Sequence, residues 1–359
     1  MQTQRKELNF EGQSVFVGID VHLKSWTVSI FTEKLHHKTF SQPPKAEMLS
    51  EYLKFNFPNA SYFSTYEAGF CGFWAHFQLE ELGIKNIVVN PVDVPTTQKD
   101  QKRKSDPVDS NRLGRFLRSN ELKGIYIPRP ETLEDRTIIR VRFTIVKDLV
   151  RQKQRIKSLL YLYGIEYPIE FQNANTHWSK RFINWLKTVQ LQYSTGTDGL
   201  NLLIKEAEQQ RLLLLEATRK IRTLSKTERY AKNIELITSV PGIGLITGMM
   251  LMAEIEEIKR FDNSDKLAGL IGIVPDCHSS GLTEKKGEMT SRGQYFMRKG
   301  IVECSWVAAS KDPALSLAYY NYCKRMEPNK AITRIARKLI NRIFSVLKNE
   351  KKYEIGIVK

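Results

Sequence analysis

Five short runs in the first hundred residues have the alternating or wholly apolar pattern of β-strands. They are VFVGID (15–20), SWTVSIFTE (25–33), KTFSQ (38–42), ASYFSTYEAG (60–69) and KNIVVNP (85–91). Before the fifth run, GFWAHFQLEELGI (72–84) spaces its apolar residues as a helix does. The pattern predicts an α/β domain in which a mixed sheet carries helices on its faces. We expect this domain to end near residue 125.

The middle of the chain has the periodicity of long helices. From Glu134 to Tyr163 there is no Gly or Pro, and apolar residues recur at helical spacing. From about Leu200 to Leu224 apolar residues follow a repeat of four and three residues, broken only by Gln210. These stretches predict two helices that pair as a coiled coil, either within the chain or between protomers.

After about residue 232 the pattern changes to short helices joined by Gly-rich turns, so we expect a mainly α-helical C-terminal domain. ELITSVPGIGLITGMMLMAEI (235–255) predicts a helix, a turn containing Gly242 and Gly244, and a second helix. Such a helix-hairpin-helix-like turn can offer backbone N–H groups to a DNA phosphate, and a purely structural turn is the alternative. The predicted domains are residues 1–125, 126–232 and 233–359.

The net charge of the chain narrows the class of binding partner to expect. The chain has 56 Lys and Arg against 39 Asp and Glu, a net charge of +17, within an ordinary globular composition of 41% hydrophobic residues. A polyanion is the expected partner, and nucleic acid is favoured over a membrane surface. The densest field is residues 136–157, with eight basic side chains against Asp148. The nucleic-acid-binding candidates there are Arg140, Arg142, Arg151 and Arg155. The alternative is a helical linker with solvated charges.

Several classes of protein are excluded by pattern. No apolar run reaches the roughly 20 residues that span a bilayer, and the N-terminus lacks the apolar segment of a secretion signal. The four cysteines form no CxxC pair and have no His at finger spacing, which excludes a zinc finger and a disulfide framework. We expect a cytoplasmic protein.

Four acids occupy positions suited to metal-dependent phosphate chemistry. Asp20 ends the first predicted strand and Glu67 ends the fourth. Asp106 and Asp109 are three residues apart, which places both on one helical face. Carboxylate oxygens suit Mg²⁺ or Mn²⁺, and two such ions can flank a phosphodiester. The alternative for Asp106 and Asp109 is a pair of helix-start acids favoured by the macrodipole.

These motifs resemble one family of insertion-sequence transposases. GID at Asp20, YEAGFCG at Glu67 and KSDPVD at Asp106 and Asp109 are similar to the DEDD signature of its RuvC-like, ribonuclease-H-fold domain. The long basic helix, ending LLYLYGIEYP, resembles the family's middle segment. Four further motifs, in the family's order, resemble its transposase domain: ITSVPGIGLIT, RFDNSDKLAGLIGIVP, HSSG and GEMTSRGQYFMRKGI.

The resemblance implies a recombinase with a composite active site, in which the metal-binding acids meet a nucleophilic serine from the C-terminal domain. The family's serine stands just before Gly, which corresponds to Ser280 here, with Ser279 and then Ser291 as lesser alternatives. A serine hydroxyl needs a base, a metal or a positive field to become a good nucleophile. The basic candidates near it in sequence are His278, Lys285, Lys286, Arg292 and Arg298, and we favour a solvated loop role for His278.

The chain departs from the family's pattern around this serine. Ser291 stands where the family usually has Lys, Gln294 where it has Asn, and Met297 where it has Leu. The first change removes a cationic contact that Arg292 or Lys286 can supply. Cys277 is interpreted as a small buried apolar residue rather than a catalytic thiol.

The resemblance also implies partners. Members of the family use a structured guide RNA, the bridge RNA, whose loops pair with donor and target DNA, while some relatives are site-specific DNA invertases. Strand exchange between two duplexes needs several active sites, so we expect a dimer that pairs into a tetramer, through the 200–224 helix. The alternatives to a recombinase function are a metal-dependent junction nuclease and a nucleic-acid-binding regulator without catalysis.

Overall fold

The computed structural model describes residues 9–96, 105–280 and 283–356, except for the side chains of residues 276–288. The chain divides into two compact units, Met1–Ile127 and Pro128–Lys359. The further division of the chain at residue 232 stays a prediction.

The first unit is built on a mixed five-stranded sheet in the order β3-β2-β1-β4-β5. Its strands are β1 (Ser14–Val21), β2 (Trp26–Thr32), β3 (His36–Gln42), β4 (Ser61–Glu67) and β5 (Lys85–Val89). The first three strands form an antiparallel meander, whereas β4 is parallel to β1 and β5 is parallel to β4. The mixed sheet predicted from the alternation pattern is confirmed, and it is consistent with a ribonuclease-H-like domain.

Helices cover both faces of this sheet. They are α1 (Ala46–Asn56), α2 (Trp74–Glu81) and α3 (Asp106–Arg118). Apolar residues of α1 and α2, such as Leu49 and Leu79, pack on Val17 and Ile19 of β1 in one buried cluster. On the opposite face α3 crosses β1 and β2. Helix α1 was not predicted from the sequence.

Two long helices dominate the first part of the second unit, α4 (Pro130–Leu162) and α6 (Ser194–Leu224), with the short α5 (Lys180–Leu186) between them. Helices α4 and α6 pack against each other within the chain. Towards the end of α4, Ile156 shares a buried cluster with Ile204 of α6. At the other end, Ile139 and Ile221 belong to the core of the C-terminal helices.

The rest of the second unit is helical apart from one hairpin. The helices are α7 (Glu228–Thr238), α8 (Leu245–Ile255), α9 (Ser264–Ile271), α10 (Tyr295–Lys311), α11 (Pro313–Cys323) and α12 (Pro328–Asn349). Strands β6 (Pro275–Ser280) and β7 (Thr283–Met289) form the hairpin, which was not predicted. Helix α8 is buried almost throughout. In the part of the chain that the structure describes, none of the helices is long and apolar enough to cross a membrane.

Candidate active site

The sheet brings Asp20 and Glu67 to one edge. Strands β1 and β4 run parallel with Ile19 opposite Tyr66, so the next residues of the two strands, Asp20 and Glu67, are neighbours at their carboxyl ends. Both side chains are partly buried, with 24% of Asp20 and 32% of Glu67 exposed. The strand-ending positions predicted from the sequence are therefore adjacent in the fold.

Helix α3 carries the other two acids, and two glycines set how closely it crosses β1. A Cβ added at Gly18 would lie 2.0 Å from the carbonyl oxygen of Ser110 and 2.2 Å from the backbone nitrogen of Gly114. A Cβ added at Gly114 would lie 2.7 Å from the ring of Phe31. Only glycine allows this backbone-on-backbone approach, which places the first turn of α3 beside the end of β1.

A buried hydroxyl network fixes the same helix to β2. Ser110 Oγ lies 2.8 Å from Ser29 Oγ, and Ser29 Oγ lies 2.7 Å from Thr39 Oγ1 on β3. Ser29 and Ser110 are fully buried. Buried hydroxyls that satisfy one another hold a single arrangement, so the register of α3 on the sheet is well determined.

His22 joins Asp20 and Asp106 into a cluster of metal ligands. Its Nε2 lies 3.2 Å from Asp20 Oδ2 and 3.8 Å from Asp106 Oδ2. One ligand atom from each of the three residues lies within 4.8 Å of the others, and among the described residues no other group of three His, Cys, Asp or Glu residues does so. Two carboxylates and an imidazole at this separation can hold a metal ion.

Arg112 binds the remaining two acids. Its Nη2 lies 3.0 Å from Glu67 Oε1 and 3.1 Å from Asp109 Oδ1. The side chain of Arg112 is 11% exposed and that of Asp109 is 15% exposed. The four acids thus divide into one pair beside His22 and one pair bridged by a guanidinium.

Burial and mutual repulsion perturb the strand-end carboxyls. Burial raises the pKa of Asp20, the charges of Asp106 and Asp109 raise it further, and His22 lowers it. Burial also raises the pKa of Glu67, where Arg112 acts in the opposite direction and Asp109 and Asp20 add to the rise. In both groups burial is the main reason why the charged form is disfavoured, and a divalent cation would offset that penalty.

Sequence reasoning missed His22 and Arg112. His22 follows Asp20 by two residues, and Arg112 follows Asp109 by three, the spacing of a helical ion pair. The second signal was visible in the sequence. The contacts of His22 with Asp106 and of Arg112 with Glu67 depend on the crossing of α3, which the sequence pattern alone does not define.

In the second unit, the turn between α7 and α8 gives its two glycines different surroundings. Gly242 has a positive φ of 89°, and a Cβ there would lie 2.4 Å from the carbonyl oxygen of Cys304 on α10. Gly242 is therefore required for packing. Gly244 is the exposed N-cap residue of α8, with nothing within 4 Å of an added Cβ.

The arginines predicted to bind nucleic acid on α4 have partners within the chain. Arg140 donates from Nη2 and Nε to Glu254 Oε1, at 2.7 and 3.1 Å, and Glu254 is buried. Arg142 Nε donates to Thr218 Oγ1 at 2.9 Å. Farther along, Arg151 pairs with the half-buried Asp148 at 3.2 Å, and Arg155 donates to Gln152 at 3.1 Å.

The predicted nucleophile lies at the end of β6. The backbone of Ser280 pairs with Thr283 across the hairpin. Its side chain and those of Cys277, His278, Ser279, Lys285 and Lys286 lie outside the described residues. Arg292 and Ser291 are exposed beyond β7, and the Arg298 guanidinium donates to the carbonyl oxygen of Arg292.

A basic groove of about 960 Å³ lies at the base of this hairpin. One side is the α12 surface, with Lys330, Arg334 and Arg337, and the other includes Val274 and Met289 at the hairpin ends. Arg337 pairs with Asp265, also on the groove wall. The groove places positive charge next to the strands that carry the predicted serine.

The mixed sheet with acids at its strand ends is consistent with a ribonuclease-H-like carboxylate domain. Residues 17–165 match the family model DEDD_Tnp_IS110, which is described as Transposase. Residues 234–321 match a second model, described as Transposase IS116/IS110/IS902 family. The chain belongs to the IS110 family of transposases, enzymes that cut and rejoin DNA.

Three relatives show the extent of the likeness. The y4qE protein of Sinorhizobium fredii is 25% identical over 67% of this chain, and the match spans 57% of that protein's length. The y4rJ protein of the same organism is 25% identical over 91% of this chain and 90% of its own. The transposase for insertion sequence element IS1533 of Leptospira borgpetersenii is 24% identical over 70% of this chain and 72% of its own.

Proposed function

We propose that this chain cuts and rejoins the DNA of a mobile insertion element through a composite active site. Asp20, Glu67, Asp106 and Asp109 form its acidic half, and Ser280 supplies the nucleophile. The observation that carries the proposal is the convergence of acids from β1, β4 and α3 at one sheet edge, with burial raising the pKa of Asp20 and Glu67.

The acidic half fits a divalent cation. Oxygen donors from several carboxylates are the ligands that Mg²⁺ prefers, and Mn²⁺ accepts the same set. Asp20 and Asp106 would hold the ion beside His22, with Glu67 and Asp109 completing the acidic surface. A bound ion supplies Lewis-acid polarisation of the phosphoryl oxygens. The acids themselves fix where the ion, and with it the scissile phosphate, would lie at the sheet edge.

The serine exchanges one phosphoester for another. Ser280 Oγ forms a bond to the scissile phosphorus, the bond from phosphorus to one sugar oxygen breaks, and that oxygen takes up a proton as the serine loses its own. A sugar hydroxyl of another strand then attacks the same phosphorus and releases the serine. The number of phosphoester bonds is unchanged, so rejoining needs no external energy source. The basic residues Arg292 and Lys286 are candidates to lower the barrier by holding the phosphate.

Nucleic acid binds the positive surfaces of the second unit. The groove lined by Lys330, Arg334 and Arg337 takes the DNA backbone next to the hairpin. Arg298 and the exposed N-cap at Gly244 are further candidate contacts for phosphates. The basic face of α4, with Arg151 and Arg155, takes a bridge RNA by backbone shape while base pairing reads sequence. Two duplexes require a dimer that pairs into a tetramer.

The test is recombination in cells. The gene with its native flanking DNA is expressed in a clean host, and excised circular junctions are sequenced for wild type, Ser280→Ala, Asp20→Ala and the control Ser310→Ala, an exposed hydroxyl on α10. We expect junctions from wild type and Ser310→Ala, and none from the other two, although these still bind DNA. Junctions from Ser280→Ala would remove that serine from the mechanism.

Purified protein separates the alternatives. We expect a DNA–protein adduct that resists denaturation, forms with wild type and metal, and is absent from Ser280→Ala. Cleavage of branched DNA without an adduct would identify a junction nuclease. DNA binding unchanged by EDTA, with no cleavage under any metal, would identify a regulator, and inversion of a segment between two sites would identify an invertase.

A further inference from the structure

The acidic site is electrostatically asymmetric. Among the described residues, the group that could hold a metal consists of Asp20, His22 and Asp106 and leaves out Glu67 and Asp109. These two carboxylates already share a cation, because Arg112 Nη2 contacts both of them at 3.0 and 3.1 Å. A site for two divalent ions would need its second ion where the guanidinium lies.

Arg112 is held in that position by the fold. It lies on α3 between Ser110, which bonds to Ser29, and Gly114, which packs on β1. Its side chain is only 11% exposed, and arginine is in general a permanent cation in proteins. A guanidinium can replace a bound metal ion only if the fold holds it in one position, and these contacts of α3 do so.

The ion pairs of Arg112 leave part of its hydrogen-bonding capacity unused. Both carboxylate contacts use Nη2, and the buried Nε has no acceptor among the described residues. A guanidinium satisfied only by its structural partners would have a bond at Nε, because an orphaned buried donor costs about 1–3 kcal/mol. The fork is thus incompletely used, and planar guanidinium forks match phosphate oxygens well.

We propose that the site takes one divalent ion, on the side of Asp20, His22 and Asp106, and that Arg112 replaces the second ion. Arg112 binds Glu67 and Asp109 together, and its positive charge takes the place of the second ion's charge beside the phosphate. This inference rests on the proposed function of the acids in phosphate chemistry. It assigns the second positive charge of the site to the chain itself.

The test counts ions on the full chain. Metal-free protein is titrated with Mn²⁺, and free Mn²⁺ is read from its EPR signal for wild type, Arg112→Gln, Arg112→Lys and the control Arg115→Gln. Arg115 lies on the same helix, is exposed, and contacts the ring of Phe116 rather than a carboxylate. Asp20→Asn identifies the ions that belong to the acidic site.

We expect one Asp20-dependent Mn²⁺ per chain in wild type, Arg112→Lys and Arg115→Gln. Arg112→Gln should bind two, and the pair should show spin coupling because two ions in such a site lie about 4 Å apart. Two ions in wild type would overturn the assignment of Arg112 and leave the proposed function standing. No Asp20-dependent ion in a folded wild type would overturn both. One ion in a folded Arg112→Gln would make Arg112 a structural residue only, and if that variant fails to fold, the wild-type count still decides.

Discussion

Gly18→Ala is the sharpest test of how the acids are brought together. The new methyl group would lie 2.0 Å from Ser110 O and 2.2 Å from Gly114 N, where ordinary contact is 3.4 to 4 Å. Both atoms belong to backbone, so no side chain can turn away and α3 must retreat by more than 1 Å. Overpacking a core costs about 1–3 kcal/mol, and a rigid backbone clash falls at the upper end. At about 3 kcal/mol the melting temperature of the first unit drops by roughly 10 °C.

The assay is calorimetry of the full chain, which separates the transitions of the two units, together with Mn²⁺ titration. Gly69→Ala is the matched control, because nothing lies within 4 Å of a Cβ there. We expect Gly69→Ala to melt like wild type. Gly18→Ala should melt lower and bind Mn²⁺ more weakly, since α3 carries Asp106 and Asp109 away with it. A Gly18→Ala transition within about 2 °C of the control would refute the close crossing of α3.

Three further outcomes follow from the structure. Glu254→Gln should lower the free energy of unfolding of the second unit by about 3 kcal/mol in denaturant melts, because it removes the buried counter-charge of Arg136 and Arg140. The control is Glu216→Gln, at an exposed ion pair, which should change the free energy of unfolding by less than about 0.5 kcal/mol. Burial raises the pKa of Asp20 above 3.8, so the metal-free folded state binds its proton more tightly than the unfolded chain does, and stability falls as pH rises from 3.8 to the raised pKa. Asp20→Asn should show a smaller fall than wild type as the pH rises above 3.8 in thermal melts. EDTA should abolish cleavage and leave DNA binding unchanged, and cleavage that persists in EDTA would remove metal from the mechanism.

Periodicity predicted the elements whose pattern is long or repeated. The strands of the first unit and the helix after Glu134 were predicted to within a few residues, because alternation and an uninterrupted helical repeat are local signals. Helix α1 was missed although Ala46, Leu49 and Leu53 have helical spacing and are buried. The hairpin β6–β7 was missed because its strands are polar, and the run TEKKGEM (283–289) has no apolar alternation.

The sequence predicted the residues of the acidic site that follow from the positions of β1, β4 and α3 along the chain, and not those that follow from how these elements pack. Asp20 and Glu67 could be paired from sequence because parallel neighbouring strands end at one edge. The roles of His22 and Arg112 could not, since each depends on where α3 crosses the sheet. That crossing follows from Ser110 and Gly114 on α3 and from Gly18 on β1, which is far from them in sequence, so the contacts that define it are tertiary.

Helix α3 therefore links the stability of the first unit to its chemistry. It carries Asp106, Asp109 and Arg112, and it is fixed to β1 and β2 by contacts that tolerate no added atom. An ion held by Asp20 and Asp106 would join β1 to α3, and so would stabilise the crossing that creates its own site. Arg112 joins α3 to β4 in the same way through Glu67, while Asp109 on its own helix helps to hold it, and neither contact depends on any ion. The half of the site that contains Arg112 is thus formed before a metal ion binds, and it orients α3. Metal binding then has to complete only the half that contains Asp20 and Asp106.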